Sequence, residues 1–142
     1  MEILRNLTIS EVKQMAGLLA LKFKSSGEII GLVGNLGSGK TTFAKAFLKQ
    51  LGIKQGKSPT FVISHQYWHD KRLVCHMDFY RLDHNADLET LGLEEIMSGR
   101  NIVLIEWVNK FPKIEKACDV VINFRIKRLN NLNKRDVTVK FN

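Results

Sequence analysis

Apolar residues recur at helical spacing soon after the amino terminus. Val12, Met15, Ala16 and Leu19 repeat every three or four positions, which puts them on one face of a helix. Thr8-Ile-Ser-Glu11 precedes them and fits a capping box, in which the Thr8 hydroxyl and the Glu11 carboxylate each satisfy an orphan helix-end amide. The pattern predicts a helix over about residues 9–22. Glu28-Ile-Ile-Gly-Leu-Val33 is a short continuous apolar run and reads as a buried strand. A glycine-rich loop follows it, and Thr41 to Leu51 reads as a helix ended by Gly52.

Residues 52–60 read as a loop around Ser58-Pro59. Residues 61–69 and 72–80 are strand-like runs flanking Asp70-Lys71, as in a hairpin. Residues 85–98 read as helical with a break near Gly92, and Asn101-Ile-Val-Leu-Ile105 is a second buried strand. Residues 108–117 are irregular or briefly helical around Pro112. Asp119–Ile126 and Asp136–Phe141 alternate like two strands, joined by a polar turn over Arg128–Lys134.

Gly34-Asn-Leu-Gly-Ser-Gly-Lys-Thr41 matches GxxxxGK[ST] at every fixed position. Its context is the one the chemistry requires, after a buried strand and at the opening of a helix. Glycines let the backbone curl so that successive N–H groups face phosphate oxygens. The helix start adds unpaired donors and partial positive charge. Asn35, Leu36, Gly37, Ser38, Gly39, Lys40, Thr41 and Thr42 are the expected nucleotide-binding set. The Lys40 ammonium is expected at the β- and γ-phosphates, the Thr41 hydroxyl on Mg²⁺, and the Thr42 hydroxyl near the α-phosphate. The expected fold is therefore α/β: a single P-loop NTPase domain over residues 1–142. It has a mixed, mostly parallel central sheet flanked by helices, with C-terminal antiparallel strands.

Such a loop needs an acidic group facing the metal. Asn101-Ile-Val-Leu-Ile-Glu106 supplies four apolar residues and then a carboxylate at a strand end. Glu106 is thus expected beside Thr41 as a metal-side ligand. Asp78 ends another strand-like run, His76-Met-Asp-Phe-Tyr-Arg81. It either holds a metal-bound water or orients the attacking water, or it pairs with Arg81 as an ordinary salt bridge. Thr60, in Ser58-Pro-Thr-Phe61, follows Lys40 by 20 positions, where switch segments sit in P-loop proteins. Its hydroxyl is a candidate sensor of the γ-phosphate, set against a plain turn.

Composition narrows the class. A chain of 142 residues suits one domain, and one of this size buries a core without staples. No apolar run approaches the ~20 residues of a membrane helix. The first ten residues carry Glu2 and Arg5 and lack a signal peptide's apolar stretch, so a cytoplasmic location is expected, with no membrane. Cys75 and Cys118 form no CxxC pair and read as reduced, partly buried thiols. His65 and His69 have a spacing that suits a metal only on a helix, and their segment reads as a strand. The net charge is +8, and from Lys110 onward nine basic residues stand against three acidic ones. A basic end of this kind either attracts nucleic acid or an acidic partner or is a solvated face. No RNA-recognition motif accompanies it.

Regulatory GTPases need NKxD and DxxG segments. Asn109-Lys110-Phe111-Pro112 has proline where the guanine-reading Asp belongs, and no DxxG occurs. GTP specificity is disfavoured. After Gly52 the chain has no long helical insertion to build a kinase's substrate domain and lid. An ATPase reporting to a partner fits the size better. A nucleotide-dependent binding module without essential hydrolysis, or a small kinase, remains as the alternative.

Four segments together resemble one family: Gly34-Asn-Leu-Gly-Ser-Gly-Lys-Thr-Thr-Phe43, Ser58-Pro-Thr-Phe61, His76-Met-Asp-Phe-Tyr-Arg-Leu82 and Ile105-Glu-Trp107. In that order and spacing, with Gly92-Leu-Glu-Glu-Ile96 between the third and fourth, they are similar to the TsaE (YjeE) family of bacterial tRNA threonylcarbamoyladenosine biosynthesis proteins. The P-loop alone names no family; the set does. The likeness spans nearly the whole chain, and only the last ~30 residues carry no distinctive motif. It implies an ATPase, slow without partners, required for N6-threonylcarbamoylation of adenosine 37 in tRNA. It also implies ATP and Mg²⁺ as cofactors, a TsaD–TsaB pair as partner, tRNA reached indirectly, and no DNA. Carried over by position, Lys40 contacts phosphate, Thr41 and Glu106 hold Mg²⁺, and Asp78 is needed for hydrolysis. Thr60, Tyr80, Arg81 and Trp107 match positions near the nucleotide or the partner face. The Ser10–Glu11 region aligns loosely with a nucleotide-proximal segment.

Overall fold

The computed structural model describes residues 1–54, 63–129 and 132–142. Its elements run β1 (Glu2–Leu7), α1 (Ile9–Phe23), β2 (Ile29–Gly34), α2 (Lys40–Gln50), β3 (Ser64–His69), β4 (Arg72–Asp78), α3 (Asn85–Glu89), α4 (Leu93–Ser98), β5 (Ile102–Glu106), a 3₁₀ turn (Val108–Lys110), α5 (Pro112–Ala117), β6 (Val120–Leu129) and β7 (Leu132–Phe141). One seven-stranded sheet has the order β1-β7-β6-β2-β5-β4-β3. β6, β2, β5 and β4 are mutually parallel, while the flanking pairs β1–β7, β6–β7 and β3–β4 are antiparallel. This is the mixed, mostly parallel sheet that the apolar runs predicted.

Burial on both faces explains the apolar run of β5. Side chains alternate along a strand. Ile102 and Leu104 join the core beneath α1 and α2, with Val12, Ala16, Phe43 and Phe47. Val103 and Ile105 face the opposite core, with Met77, Phe79, Val108 and Phe111. A strand covered on both sides has no polar position to spare until it ends, and here it ends in Glu106. α1 presents Val12, Ala16, Ala20 and Phe23 to the sheet. Its predicted capping box is present: Glu11 N–H donates to Thr8 Oγ1 at 3.2 Å, and Thr8 N–H donates to Glu11 Oε2 at 2.7 Å. At its other end, Arg72 donates to the carbonyls of Lys24 and Ser25 at 3.2 and 2.9 Å, satisfying orphan helix carbonyls.

Three details differ from the sequence expectations. β1 was not foreseen, because Glu2–Leu7 has no clean alternation: its pairing to β7 shifts register between Leu4 and Leu7. Asn6 there has φ 57° and gives its N–H to Asp136 Oδ1 at 3.0 Å. The β6–β7 hairpin is longer than expected, pairing from Val120↔Phe141 to Leu129↔Leu132. The polar stretch 128–134 is thus mostly strand; antiparallel pairing continues beyond the core because one face of such a ribbon tolerates water. β4 stops at Asp78 rather than residue 80. The expected break at Gly92 is present, with φ 61° between α3 and α4. Residues 55–62, which hold the Ser58–Phe61 segment and the Thr60 candidate, lie outside the described residues.

Candidate functional site

The sheet's parallel strands end side by side, and the loop after β2 crosses above them. Gly34 has φ 148°, and a Cβ there would lie 2.5 Å from the Phe124 carbonyl oxygen and 2.7 Å from Ser38 Oγ. Only glycine permits that crossing. Gly39, at φ 115°, precedes α2 without a side-chain cap, and the first turn of α2 carries no acidic residue. The helix start therefore keeps its partial positive charge and no side chain fills its cap.

Lys40 turns back under this loop. Its Nζ donates to the carbonyls of Gly34 at 2.6 Å and Asn35 at 3.0 Å and lies 4.0 Å from the centre of the Trp107 ring. The residue is only 4% exposed, and among the described residues no carboxylate forms an ion pair with it. Burial pushes its pKa below the ordinary lysine value, opposed by the Glu106 and Asp78 carboxylates. Among the described residues its partners are two carbonyls and a ring face, so no ion pair offsets the burial of its charge. The Ser38 hydroxyl beside it is buried with no hydrogen-bond partner among the described residues.

Glu106 is 2% exposed and has a partner for each oxygen. Thr41 Oγ1 donates to Oε2 at 2.8 Å, and His76 Nε2 lies 2.8 Å from Oε1. Being on neighbouring parallel strands, Asp78 and Glu106 share a register position, yet Asp78 is exposed and its Oδ1 accepts the Tyr80 N–H at 2.9 Å. Thr41 and Glu106 together offer the hard oxygen donors that Mg²⁺ prefers. Among the described residues no group of three or more His, Cys, Asp or Glu forms a self-sufficient metal cage.

A cleft of about 290 Å³ opens over these groups. Of the expected binding set, Leu36, Gly37, Gly39, Lys40, Thr41 and Thr42 line it, as do Asp78 and Glu106. Asn35 and Ser38 do not: the Asn35 carbonyl is engaged by the Ser38 N–H at 3.1 Å and by Lys40. Tyr80 and Trp107 also line it, their rings 5.0 Å apart, whereas Arg81 is exposed and outside the lining. Trp107 has φ 60°, an uncommon conformation for a bulky residue, and its N–H donates to the Leu32 carbonyl at 2.9 Å. Near the amino end, Glu11 is committed to the helix cap, and Ile9 reaches the cleft instead.

Three residues escaped the sequence reading. His76 was quoted only as part of a motif; its position two before Asp78 on one strand, hence on the same face, was the available signal. Ile9 and Arg135 line the cleft without any local signal. Several other candidates are structural. Lys110, of the imperfect NKxD segment, gives Nζ to the Tyr80 carbonyl at 2.8 Å. His65 and His69 lie on β3, a strand as expected. Both thiols are buried, and desolvation pushes Cys75 up to about 11 and Cys118 to about 12, which keeps them protonated and unreactive.

The fold is a mixed α/β sheet that sets a strand–glycine loop–helix unit beside a carboxylate at the end of the adjacent parallel strand. The family model described as threonylcarbamoyl adenosine biosynthesis protein TsaE matches residues 8–137. The Bacillus subtilis tRNA threonylcarbamoyladenosine biosynthesis protein TsaE is 40% identical over 106 residues, 74% of this chain and 65% of that protein. The Aquifex aeolicus protein of the same name is 32% identical over 145 residues, 98% of each chain. The crystal structure of Bacillus subtilis YdiB superposes with a TM-score of 0.70 at 30% identity, covering 99% of this chain and 86% of that one. The chain belongs to the TsaE family, which places it in tRNA threonylcarbamoyladenosine biosynthesis. Among the described residues no helix is long and apolar enough to cross a membrane.

Proposed function

We propose that this chain is the ATP-binding and ATP-hydrolysing, Mg²⁺-dependent component of the machinery that places N6-threonylcarbamoyl on adenosine 37 of tRNA. It acts in the cytoplasm with a TsaD–TsaB complex and meets tRNA through that complex. The observation that carries the reading is Lys40, a buried ammonium that, among the described residues, meets two carbonyls and the Trp107 ring but no ion-pair partner, at an uncapped helix start beside the Thr41–Glu106 pair. Such a centre lacks only a polyanion.

On binding, Lys40 exchanges its carbonyl partners for β- and γ-phosphate oxygens, and the amides at the start of α2 take the rest of the phosphate charge. Thr41 and Glu106 are the side chains that would hold Mg²⁺, which when bound neutralises charge developing on the phosphates. His76 keeps the Glu106 carboxylate turned toward Thr41. Asp78 is the exposed carboxylate at the same level and orients the attacking water, a positioning role of the kind phosphoryl transfer depends on. Thr60 senses the γ-phosphate from the segment before β3. The exposed Tyr80, beside Trp107 at the cleft mouth, suits a site whose turnover depends on a partner closing over it.

The test is ATP hydrolysis by the purified protein with and without TsaD–TsaB and tRNA. Turnover should be slow alone, rise with the partners, and vanish in Lys40→Ala. Absence of ATP binding by calorimetry, with the partners present, would refute the reading.

A further inference from the structure

The three strands at one side of the sheet, β1, β7 and β6, have two unlike faces. Val120, Ile122 and Phe124 of β6 and Val137 and Val139 of β7 are buried in the core beneath α1 and α2. Arg135 lies on that same face, where its Nε donates to the Ser38 carbonyl at 3.2 Å. The residues between these alternate to the opposite face. There the helices serve β2, β5 and β4: among the described residues, the core on that side takes Val121 from β6 and nothing from β7 or β1.

This open face is polar and basic. Arg125 and Lys127 of β6 lie opposite Asp136 and Lys134 of β7, with Arg5 on the neighbouring β1 and Lys140 farther along β7. Arg5, Arg125 and Lys140 are exposed, and the others are half-buried. The one carboxylate at these paired positions, Asp136, is committed to the Lys127 ammonium and to the Asn6 N–H, the latter at 3.0 Å. Lys127 and Lys134 stand directly opposite each other, and like charges so placed destabilise a strand pair. The fold alone gives no reason for that pairing, whereas an anion lying over it turns repulsion into a grip. Asn123 and Thr138, also directly opposite, add an amide and a hydroxyl.

Composition says which anion. Surfaces that dock proteins centre on aromatic and apolar residues and are depleted of lysine, and this face carries no aromatic among the described residues. Arg, Lys, Asn and Thr are the side chains that contact phosphate and sugar. Same-face residues recur about every 7 Å along a strand and ~4.8 Å between strands, a flat grid that suits a run of phosphates better than a single one. With no ring to stack on, a base would not be read.

We propose that the open face of β1, β7 and β6 binds the sugar–phosphate backbone of RNA directly, with Arg125, Lys127 and Lys134 at its centre. Membership of a tRNA-modification family brings RNA within its reach. The contact is made on a tRNA held by the partner complex and adds affinity without sequence choice. It goes beyond the nucleotide reading and does not use the cleft, so the two stand or fall separately.

Fluorescence anisotropy with the full chain and an unmodified tRNA transcript tests it. Arg125→Gln combined with Lys134→Gln should weaken binding on the order of 10-fold in about 50 mM salt and lower the slope of its salt dependence by about 1 per lost phosphate contact. The melting temperature should hold or rise slightly, since the like-charge pair is gone, and ATP affinity should be unchanged. Lys113→Gln combined with Lys116→Gln removes the same charge from exposed positions on α5 and should leave tRNA affinity within about twofold. Equal losses in the two double variants would mean that net charge acts rather than this face, and would overturn the proposal. So would a wild type that binds no tRNA at that salt. Wild-type tRNA affinity in the Arg125–Lys134 variant, with assembly onto TsaD–TsaB lost, would make the face a protein docking surface and also overturn it.

Discussion

β2 stands between two unlike neighbours. On one side β5 is five residues long, buried throughout and parallel, and it ends in a carboxylate with a hydrogen-bond partner on each oxygen. On the other side β6 leads into a ten-residue antiparallel ribbon with β7, which runs past the core and carries charge outward. The dry side holds charges rigidly, because an unpartnered buried charge is too costly to leave mobile. Among the described residues the wet side offers a cation, Arg135, with no carboxylate partner, since water shares the cost. One sheet thus presents a fixed polar cluster and a more permissive platform to the same cleft.

The largest way to disturb this contrast is to cut the packing that joins the two sides. Phe43 of α2 meets Phe124 of β6 with ring centres 5.7 Å apart and an angle of 62°, and both are buried. Phe43→Ala should cost about 3–5 kcal/mol, read by urea denaturation, and should loosen the loop with the core. Lys40→Ala comes next. It removes charge-assisted bonds worth about 1.5–3 kcal/mol each, so ATP affinity should fall on the order of 100-fold by calorimetry, with the melting temperature nearly unchanged.

Glu106 and Asp78 sharpen the contrast on the dry side itself. They share a strand level but differ in burial and partners. Asp78→Asn should lower ATP turnover on the order of 100-fold with ATP affinity retained. Glu106→Gln should lower turnover and also raise the Mg²⁺ concentration needed for half-maximal nucleotide affinity. Matching Mg²⁺ dependence in the two variants would remove the distinction drawn between them.

The smallest effect lies at the amino-terminal edge. The Lys127 ammonium, first, and the Asn6 N–H hold the Asp136 carboxyl below its ordinary value. A carboxyl depressed in the folded state adds stability that is complete above its unfolded pKa and is lost as pH falls through the folded one. Asp136→Asn should therefore destabilise slightly at neutral pH, flatten the acid limb of the stability profile, and change little once the wild-type carboxyl is protonated. Thermal melts across the acid range check this.

Much of the dry side was readable from residue order. The glycine loop, the four apolar residues before Glu106 and the run ending in Asp78 are local signals, each made by neighbours along the chain. The capping box at Thr8–Glu11 was readable for the same reason. His76 was within reach, since strand alternation places it on the Asp78 face. β1 was not, because a bulged edge strand with little burial leaves no regular pattern.

Sequence alone determined the glycine-rich loop, the buried strands on which it rests, and the family set of motifs, because each depends on the spacing of adjacent residues. Only the tertiary structure decided that His76 completes Glu106 from the next strand and that Arg135 arrives at the loop beside Ile9. Those meetings depend on strand order and register, which are set by how the two faces of the sheet share burial across the whole chain. Arg135 and Ser38 are separated by 97 positions, a distance over which no local periodicity carries information.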